Sequence, residues 1–339
     1  MTSVNVIAKL YEIGKKIDPV IEKYLMKDLS EEFKEIVLHQ VRTGGKRIRP
    51  ALTITCCKAV GGNEEDALPI AAAMELIHNY SLIFDDIIDH GEYRRGKPTV
   101  RKLYGDVMAM LAGLHYREAI TEAVNDSKNS DILHKLVAKT IKDIIEGERL
   151  DILFEQAGRY EDYLVKHRRL IVTLDDYLNM VSLKTGALIR ASCVAGGIVA
   201  NADENEIKVL DSYGMSIGVA FQIADDILDI FGEERKTGKK KGKDIIEHKL
   251  GNIVILLALK HLSESEKNKL LSILRKDVVR ERDIEEAIAT IFKTKAREEA
   301  YALGVKYVEQ ALKSIRKLPP SEDRSLLEEL AKFIIYRKF

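Results

Sequence analysis

The sequence has few of the residues that mark secreted, disulfide-linked or membrane-spanning proteins. Its 339 residues include three cysteines and no tryptophan. Cys56, Cys57 and Cys193 are odd in number and two of them are adjacent, which gives neither a disulfide framework nor the spacing of a metal site. No charged and apolar leader opens the sequence, and its longest apolar run covers only 253–259, whereas a membrane helix needs roughly 20 residues. We therefore expect a soluble, cytoplasmic protein with no membrane span and with its cysteines in the core.

An excess of charge of either sign is also absent. Lysine plus arginine and aspartate plus glutamate number 54 each. A chain balanced in this way has no overall charge that would attract nucleic acid or an anionic membrane. We therefore expect no nucleic-acid partner, and the charged residues are interpreted from their local surroundings.

What the sequence does contain is apolar residues at the spacing of amphipathic helices. Alternating strands and two-residue hairpin turns are not evident, so the predicted fold is all-α. Breaks are few, none resembles an interdomain linker, and they lie at 43–46, 61–63, 95–98 and 238–244. The longest predicted helices cover about 64–90, 131–155, 174–199 and 203–231. Several are apolar nearly all round, which predicts a single large helical bundle that forms one domain over residues 1–339.

Two acidic clusters stand out within these apolar helices. Each has aspartates at i, i+1 and i+4: Asp85, Asp86 and Asp89 in "SLIFDDIID", and Asp225, Asp226 and Asp229 in "FQIADDILD". This spacing places the carboxylates on one side of a helix. A single cluster is more often a solvated helix face, but the neighbouring residues are isoleucine, leucine, phenylalanine and alanine. We therefore expect the carboxylates to face a polar cavity, where Mg²⁺ and its phosphate ligands would balance their charge.

Basic segments accompany both clusters. They contain Lys46, Arg47 and Arg49; Arg94 and Arg95; Lys184, followed by Thr185; and Lys239, Lys240, Lys241 and Lys243. Each segment alone is more often a solvated loop. Together, beside two acidic clusters, they predict a diphosphate ligand, because guanidinium and ammonium groups bind phosphate oxygens. His78 lies two helical turns before Asp85 on the same face, and it is as well explained by a core position as by a ligand contact.

Four segments resemble the signature segments of trans-isoprenyl diphosphate synthases, the polyprenyl synthetase family, and are most similar to archaeal short-chain geranylgeranyl diphosphate synthases. These segments are "ELIHNYSLIFDDIID", "RRGKPTV", "KTGALI" and "FQIADDILD". The resemblance implies a homodimeric, all-helical isoprenoid synthase fold around a deep central cavity. It also implies Mg²⁺-dependent head-to-tail (1′-4) condensation of isopentenyl diphosphate with dimethylallyl, geranyl or farnesyl diphosphate, which gives a linear short-chain trans-prenyl diphosphate.

The resemblance also assigns roles to residues. It implies that the six aspartates hold Mg²⁺, three ions per active site, and that Asp85, Asp86, Asp89, Lys184 and Asp225 carry the chemistry. The positions that match the allylic diphosphate site are Arg94, Lys184, Thr185, Gln222 and Lys239. Those that match the isopentenyl diphosphate site are Lys46, Arg49, His78 and Arg95.

Product length is expected to depend on Tyr80 and Ser81, which precede the first cluster. Tyr80 lies about 7.5 Å before Asp85 along the helix at 1.5 Å rise per residue. In the family, one aromatic residue there with a small residue after it resembles the geranylgeranyl (C20) type. Farnesyl (C15) and geranylfarnesyl (C25) products stay open, as does a core role for Tyr80. A non-catalytic regulatory subunit and a terpene cyclase also stay open, although intact paired aspartate motifs argue against both.

The sequence departs from the family pattern in a few places. Leu114 stands where aspartate is common, Glu148 stands where glutamine is common, and 248–252 lacks the usual threonine. The stretch 155–173 is longer than is typical and is expected to be an exposed connector, although a lid or a dimer contact would also fit it.

Overall fold

The computed structural model describes residues 3–232 and 241–336, and these residues are predominantly helical. Helices make up 78% of the structure, so the all-α prediction is confirmed. The helices are α1 Ser3–Gly14, α2 Asp18–Met26, α3 Glu31–Arg42, α4 Ile48–Ala59, α5 Glu64–Ile88, α6 Val100–Asn125, α7 Ser130–Phe154, α8 Asp162–His167, α9 Leu174–Val181, α10 Ala187–Val199, α11 Glu204–Phe231, α12 Lys243–Ile246, α13 Ile253–His261, α14 Glu264–Leu274, α15 Glu281–Ile291, α16 Ala296–Ile315 and α17 Glu322–Tyr336. A 3-10 turn at Lys15–Ile17 joins α1 to α2, and a π-helical turn at Ser182–Gly186 joins α9 to α10.

Two compact units are built from alternating segments of the chain. The first unit contains Met1–Lys142, Leu188–Gly214 and Leu312–Leu330, and the second contains Asp143–Ala187, Met215–Ala311 and Ala331–Phe339. The prediction of one domain over the whole chain is not tested by this division and stays a prediction.

The first unit is organised around α5, which packs against α4 and α6. Ala71, Ala72 and Ala73 of α5 are fully buried, and small side chains of this kind allow helices to approach closely. Cys56, Cys57 and Cys193 are buried and unbridged, as expected for small core residues. An 18-residue window of α5 is apolar enough to span a membrane, but 67% of it is buried inside the protein. The apolar character of α5 is therefore that of a core helix.

The second unit has its own core, formed by aromatic and branched side chains. Phe154, Tyr177, Ile223, Ile253 and Ile291 are completely buried in it. The helices begin at polar caps. Thr173 forms a reciprocal capping box with Asp176 at the start of α9, and the Asn252 side chain accepts hydrogen bonds from two backbone N–H groups at the start of α13. These caps fix where α9 and α13 begin, next to the second acidic cluster.

Residues 95–98 lie in a break between helices, as predicted. The expected absence of two-residue hairpin turns is wrong, because β1 Tyr93–Arg94 and β2 Lys97–Pro98 pair in an antiparallel hairpin. Its two-residue turn has positive φ at Arg95 (54°) and Gly96 (75°), the geometry that matches strand twist and that Gly96 accommodates without strain.

Candidate active site

The first acidic cluster divides into one buried carboxylate and two accessible ones. Asp86 is 4% exposed, and both its oxygens accept hydrogen bonds from the Arg94 guanidinium, with Nη2 to Oδ1 at 2.8 Å and Nε to each oxygen at 3.1 Å. The hairpin supplies Arg94, and Gly91 lets the chain turn close to the carboxylate, because a Cβ there would lie 2.7 Å from Asp86 Oδ1. Asp85 is half-buried and Asp89 is exposed. The outer pair, one helical turn apart, is therefore the part of this cluster that solvent reaches.

The opposite charges of Asp86 and Arg94 strengthen the contact between them. Burial lowers the pKa of Arg94, but the hydrogen bond and the negative charge of Asp86 outweigh burial and raise it overall. A guanidinium that binds one carboxylate through two nitrogens is a geometrically specific contact. Arg94 is thereby held beside the end of α5.

A cationic cluster lies in the same unit around His78. Burial lowers the pKa of His78 well below its ordinary value, and the positive charges of Arg49 and Arg95 lower it further. The Arg95 guanidinium contacts the backbone oxygen of Gly44 and packs against Gly45, where a Cβ would lie 2.9 Å from it. The structure therefore brings together three of the four residues predicted for isopentenyl diphosphate, and the fourth, exposed Lys46, directly follows Gly45 in the chain.

Arg47, from the same basic segment, is structural. Its guanidinium forms a buried ion pair with Glu75 at 2.9 Å and a partly exposed one with Asp18 at 2.8 Å. It is 8% exposed and also donates to the Val41 carbonyl. Sequence position alone did not separate it from Lys46 and Arg49, because all three follow the same pair of glycines.

Tyr80 and Ser81 occupy the turn of α5 that precedes the first cluster. The rings of Tyr80 and Phe84 meet edge to face with centroids 5.0 Å apart, and both residues are half-buried. Phe84 contacts α6 at Gly113, where a Cβ would lie 2.4 Å from the ring. Ser81 donates its hydroxyl hydrogen to the His78 carbonyl at 2.9 Å. The Tyr80 ring therefore packs on Phe84, whose own ring packs against α6.

The second acidic cluster also has a buried middle carboxylate. Asp226 is 3% exposed and accepts hydrogen bonds from Tyr177 Oη at 2.8 Å, Gln222 Nε2 at 2.8 Å and the Ile253 backbone N–H at 3.0 Å. Burial, followed by the negative charge of Asp244, nevertheless raises the pKa of Asp226 well above its ordinary value. Asp225 is half-buried. In both clusters the middle aspartate is thus bonded to protein groups.

Asp229, one turn beyond Asp225, faces the start of α12. Its oxygens accept hydrogen bonds from the backbone N–H groups of Lys243 at 3.0 Å and Asp244 at 3.2 Å. Burial raises the pKa of Asp229 to about 7, and the charge of Asp244 acts in the same direction. The predicted ligand Lys239 lies outside the described residues.

Lys184 lies in the π-helical turn between α9 and α10. Its ammonium contacts the carboxylates of Asp151 at 2.6 Å and Glu148 at 2.7 Å, both on α7. Gly147 allows this approach, because a Cβ there would lie 2.3 Å from the Lys184 backbone nitrogen. A π-helical turn inside a longer helix often marks a functional site, and this turn directs Lys184 toward α7.

The residue after Lys184 connects to the second cluster. Thr185 donates to Gln222 Oε1 at 2.8 Å, and Gln222 Nε2 donates to Asp226. Thr185, Gln222 and Asp226 are therefore joined by hydrogen bonds, and Thr185 directly follows Lys184 in the chain.

Sequence reasoning missed three charged residues of this region. Asp151 is buried between Lys184 and Lys249, with Lys249 Nζ at 3.2 Å, and Asp244 accepts from Asn252 Nδ2 at 2.7 Å. Burial disfavours the charged form of Asp151, but Lys184 and Lys249 outweigh it and hold its pKa below the ordinary value.

The acidic side chains are suited to bind magnesium with only a few carboxylate ligands at each site. Among residues 3–232 and 241–336, no group of three or more His, Cys, Asp or Glu side chains is close enough to hold a metal ion. Each cluster instead has two half-buried or exposed carboxylates on either side of a buried middle one. Mg²⁺ is usually bound by one or two carboxylates, with water and substrate phosphates in the remaining positions. The donor chemistry therefore fits Mg²⁺ that is bound together with a phosphate ligand.

A family model described as polyprenyl synthetase matches residues 30–291. The chain belongs to this family. This polyprenyl synthetase is 40% identical over 279 residues to a short chain isoprenyl diphosphate synthase of Methanocaldococcus jannaschii, covering 81% of the chain and 80% of the relative. It is 35% identical to a geranylgeranyl diphosphate synthase of Saccharolobus solfataricus, with 93% of each chain covered. The solved structure of geranylgeranyl pyrophosphate synthetase from Pyrococcus horikoshii superposes with a TM-score of 0.89 at 36% identity, covering 98% of this chain and 99% of that one.

Proposed function

We propose that this polyprenyl synthetase is a Mg²⁺-dependent prenyltransferase that condenses isopentenyl diphosphate head to tail with allylic diphosphates. The product is a linear short-chain trans-prenyl diphosphate. The observation that carries the proposal is the pair of acidic clusters, each with a buried middle aspartate fixed by protein hydrogen bonds and with half-buried or exposed aspartates on either side of it. The names of the archaeal relatives agree with this activity.

The residues have distinct roles in this proposal. Asp85, Asp89, Asp225 and Asp229 hold Mg²⁺, while Asp86 and Asp226 fix the side chains around them. The allylic diphosphate is bound by Arg94, Lys184, Thr185, Gln222 and Lys239. Isopentenyl diphosphate is bound by Lys46, Arg49, His78 and Arg95. Three Mg²⁺ per active site is the expected number.

The chemistry needs no side-chain nucleophile. The allylic carbon to oxygen bond breaks, the double bond of isopentenyl diphosphate attacks the resulting cation, and a proton passes to the departing diphosphate. Mg²⁺, when bound, stabilises the negative charge that develops on the leaving diphosphate. Arg94 and Lys184 are assigned to the diphosphate by the resemblance to the family, and apolar side chains keep water from the cation.

The proposed product is geranylgeranyl diphosphate (C20), and farnesyl (C15) and geranylfarnesyl (C25) diphosphates are the competing candidates. Tyr80 stops the growing chain, since its ring is braced by Phe84 and Phe84 by α6. Replacing Tyr80 with alanine should shift the main product to longer chains. The exposed Tyr11 gives a matched control, and Tyr11→Ala should leave the product unchanged. An unchanged product distribution in Tyr80→Ala would show that the chain stops elsewhere.

Product analysis tests the activity itself. The protein is incubated with Mg²⁺, isopentenyl diphosphate and either geranyl or farnesyl diphosphate, and the products are identified. A longer linear prenyl diphosphate supports the proposal, whereas a cyclic hydrocarbon would point to a terpene cyclase. No turnover would favour a regulatory subunit that needs a catalytic partner.

The enzyme is proposed to work as a homodimer in the cytoplasm. Val107, Met110, Leu111 and Leu114 are all exposed and follow the i, i+3, i+4, i+7 spacing of one face of α6. A regular apolar helix face suits a second copy of the chain. Three unbridged, buried cysteines are compatible with a reducing compartment.

A further inference from the structure

The ammonium group of Lys184 is bound by two carboxylates at once. Glu148 and Asp151 lie one turn apart on α7, and their oxygens are 2.7 Å and 2.6 Å from Lys184 Nζ. All three side chains are largely buried, with exposures of 12%, 7% and 25% for Glu148, Asp151 and Lys184. Charges in such surroundings are screened less than charges on the surface, so each carboxylate strongly affects what Lys184 can bind.

Of the two carboxylates, Asp151 has a second lysine partner. Asp151 also contacts Lys249 at 3.2 Å, Lys249 contacts Glu247 at 3.1 Å, and Glu247 contacts Lys243 at 2.8 Å. Asp151 is therefore shared between two ammonium groups, whereas Glu148 forms an ion pair with Lys184. Removing the charge of Glu148 would take one negative charge from beside Lys184, next to the proposed diphosphate site.

The position of Glu148 is set by the backbone. Gly147 packs directly against the Lys184 backbone, and a Cβ there would also lie 2.6 Å from Lys184 Cα. The next residue of α7 is therefore held within reach of the Lys184 side chain. This distinguishes Glu148 from Glu146, which is 46% exposed and pairs with Arg149 on the outside of the same helix.

We propose that Glu148 is a positioning residue that makes allylic diphosphate binding depend on bound metal, because it cancels the charge that Lys184 offers to a bare diphosphate. This inference rests on the proposed function. A metal-free diphosphate carries several negative charges and is repelled by Glu148. A metal-loaded diphosphate has most of that charge neutralised, so Glu148 has little effect on it. Binding of the metal and binding of the diphosphate therefore favour each other, and Glu148 contributes part of this coupling free energy.

Binding measurements without turnover test this inference. Calorimetry measures the dissociation constant of farnesyl diphosphate, with isopentenyl diphosphate left out, once with Mg²⁺ and once with EDTA. In Glu148→Gln we expect metal-free binding about tenfold tighter than in the unmodified protein, which corresponds to about 1.4 kcal/mol, while Mg²⁺-loaded binding changes less than about threefold. Glu148→Ala should show the same gain in metal-free affinity. Glu148→Asp keeps the charge, so the ratio of the metal-free to the Mg²⁺-loaded dissociation constant should stay as in the unmodified protein.

The control is Glu146→Gln, which removes an exposed charge two residues away and should leave both constants unchanged. The inference is overturned if Glu148→Gln shows the original ratio of the two constants, or if Glu146→Gln changes that ratio as much. A different failure would be an unmodified protein that binds no farnesyl diphosphate even with Mg²⁺. That result would contradict the proposed function itself.

Discussion

At the scale of single residues, similar side chains are used differently according to their partners. Asp85 and Asp86 are neighbours in sequence, yet Asp86 is bound by Arg94 and Asp85 lies on the more accessible side of the helix. Arg47 and Arg49 are two residues apart, yet Arg47 forms an ion pair with Glu75 whereas Arg49 contributes to the positive charge around His78. Burial and charge pairing, which depend on the fold, therefore separate binding residues from structural ones.

Asparagine substitutions should separate the outer aspartates from the middle ones. We expect Asp85→Asn to lower activity about a hundredfold and to recover part of it at high Mg²⁺, because a metal ligand is weakened. Asp86→Asn should lose activity without recovery and should also unfold more easily, by about 1 to 3 kcal/mol, because it breaks the buried contact with Arg94. Activity against Mg²⁺ concentration and thermal unfolding measure the two effects. Equal Mg²⁺ dependence in both variants would contradict the assignment.

The buried ion pair of Arg47 should matter for stability. Glu75 is 2% exposed and its removal leaves a buried guanidinium with only the half-exposed Asp18 as an acidic partner. We expect Glu75→Ala to lower the free energy of unfolding by about 3 kcal/mol, measured in urea. Glu31→Ala removes a surface partner of Lys34 and should cost less than about 0.5 kcal/mol. Similar costs for the two variants would show that the buried pair is not important.

The sequence was sufficient to predict which aspartates cluster, because their i, i+1, i+4 spacing is a local property of a helix. It was not sufficient to identify Asp151 or Lys249, since the contact of Asp151 with Lys184 joins residues 33 positions apart and neither segment has a distinctive pattern. Tyr177, 49 positions before Asp226, was missed for the same reason. Local periodicity predicts elements and clusters, whereas the partners that satisfy a buried charge come from tertiary packing.

At the scale of structural elements, close helix contacts at glycine determine where the basic side chains point. α7 approaches the π-helical turn at Gly147, and α11 approaches the same turn where Gly218 meets Gly186, with a Cβ on Gly218 only 2.7 Å from Gly186 Cα. The sequence predicted one continuous helix over about 174–199. The structure instead divides this span into α9, the π-helical turn and α10, and the contacts of Gly147 and Gly218 with that turn join segments that are distant in sequence.

Enlarging Gly147 should disturb this contact directly. A methyl group at this position would meet the Lys184 backbone, which is not able to rotate away as a side chain would. We expect Gly147→Ala to lower the free energy of unfolding by about 1 to 3 kcal/mol and to weaken farnesyl diphosphate binding. Lys142→Ala, at an exposed position of the same helix, should change stability by less than about 0.5 kcal/mol. A fully stable Gly147→Ala variant would mean that α7 and the π-helical turn separate easily.

At the scale of the whole molecule, the exposed apolar face of α6 is not explained by packing within a single chain. Leu114 is 59% exposed and Val107 is 62% exposed, in a helix whose other face is buried in the first unit. The departure noted in the sequence, leucine where aspartate is common, thus extends an apolar surface. The stretch 155–173 is also exposed over much of its length, as predicted for a connector.

Charged substitutions on α6 test the proposed homodimer. We expect the double variant Val107→Lys and Leu114→Lys to sediment as a monomer while the unmodified protein sediments as a dimer, because two buried lysines would lack partners at the interface. Val278→Lys, at an exposed apolar residue outside α6 and outside 155–173, should stay dimeric. A double variant that is still dimeric would place the interface elsewhere.

Counting divalent ions bound in the presence and absence of inorganic pyrophosphate tests the central claim most directly. Mn²⁺, followed by electron paramagnetic resonance, serves as a stand-in for Mg²⁺ with the same preference for oxygen ligands. We predict that tight Mn²⁺ binding appears only with pyrophosphate, and that Asp85→Asn and Asp225→Asn each remove part of it. Full Mn²⁺ binding by the variant that carries both substitutions would contradict the claim that the two acidic clusters hold a metal-bound diphosphate.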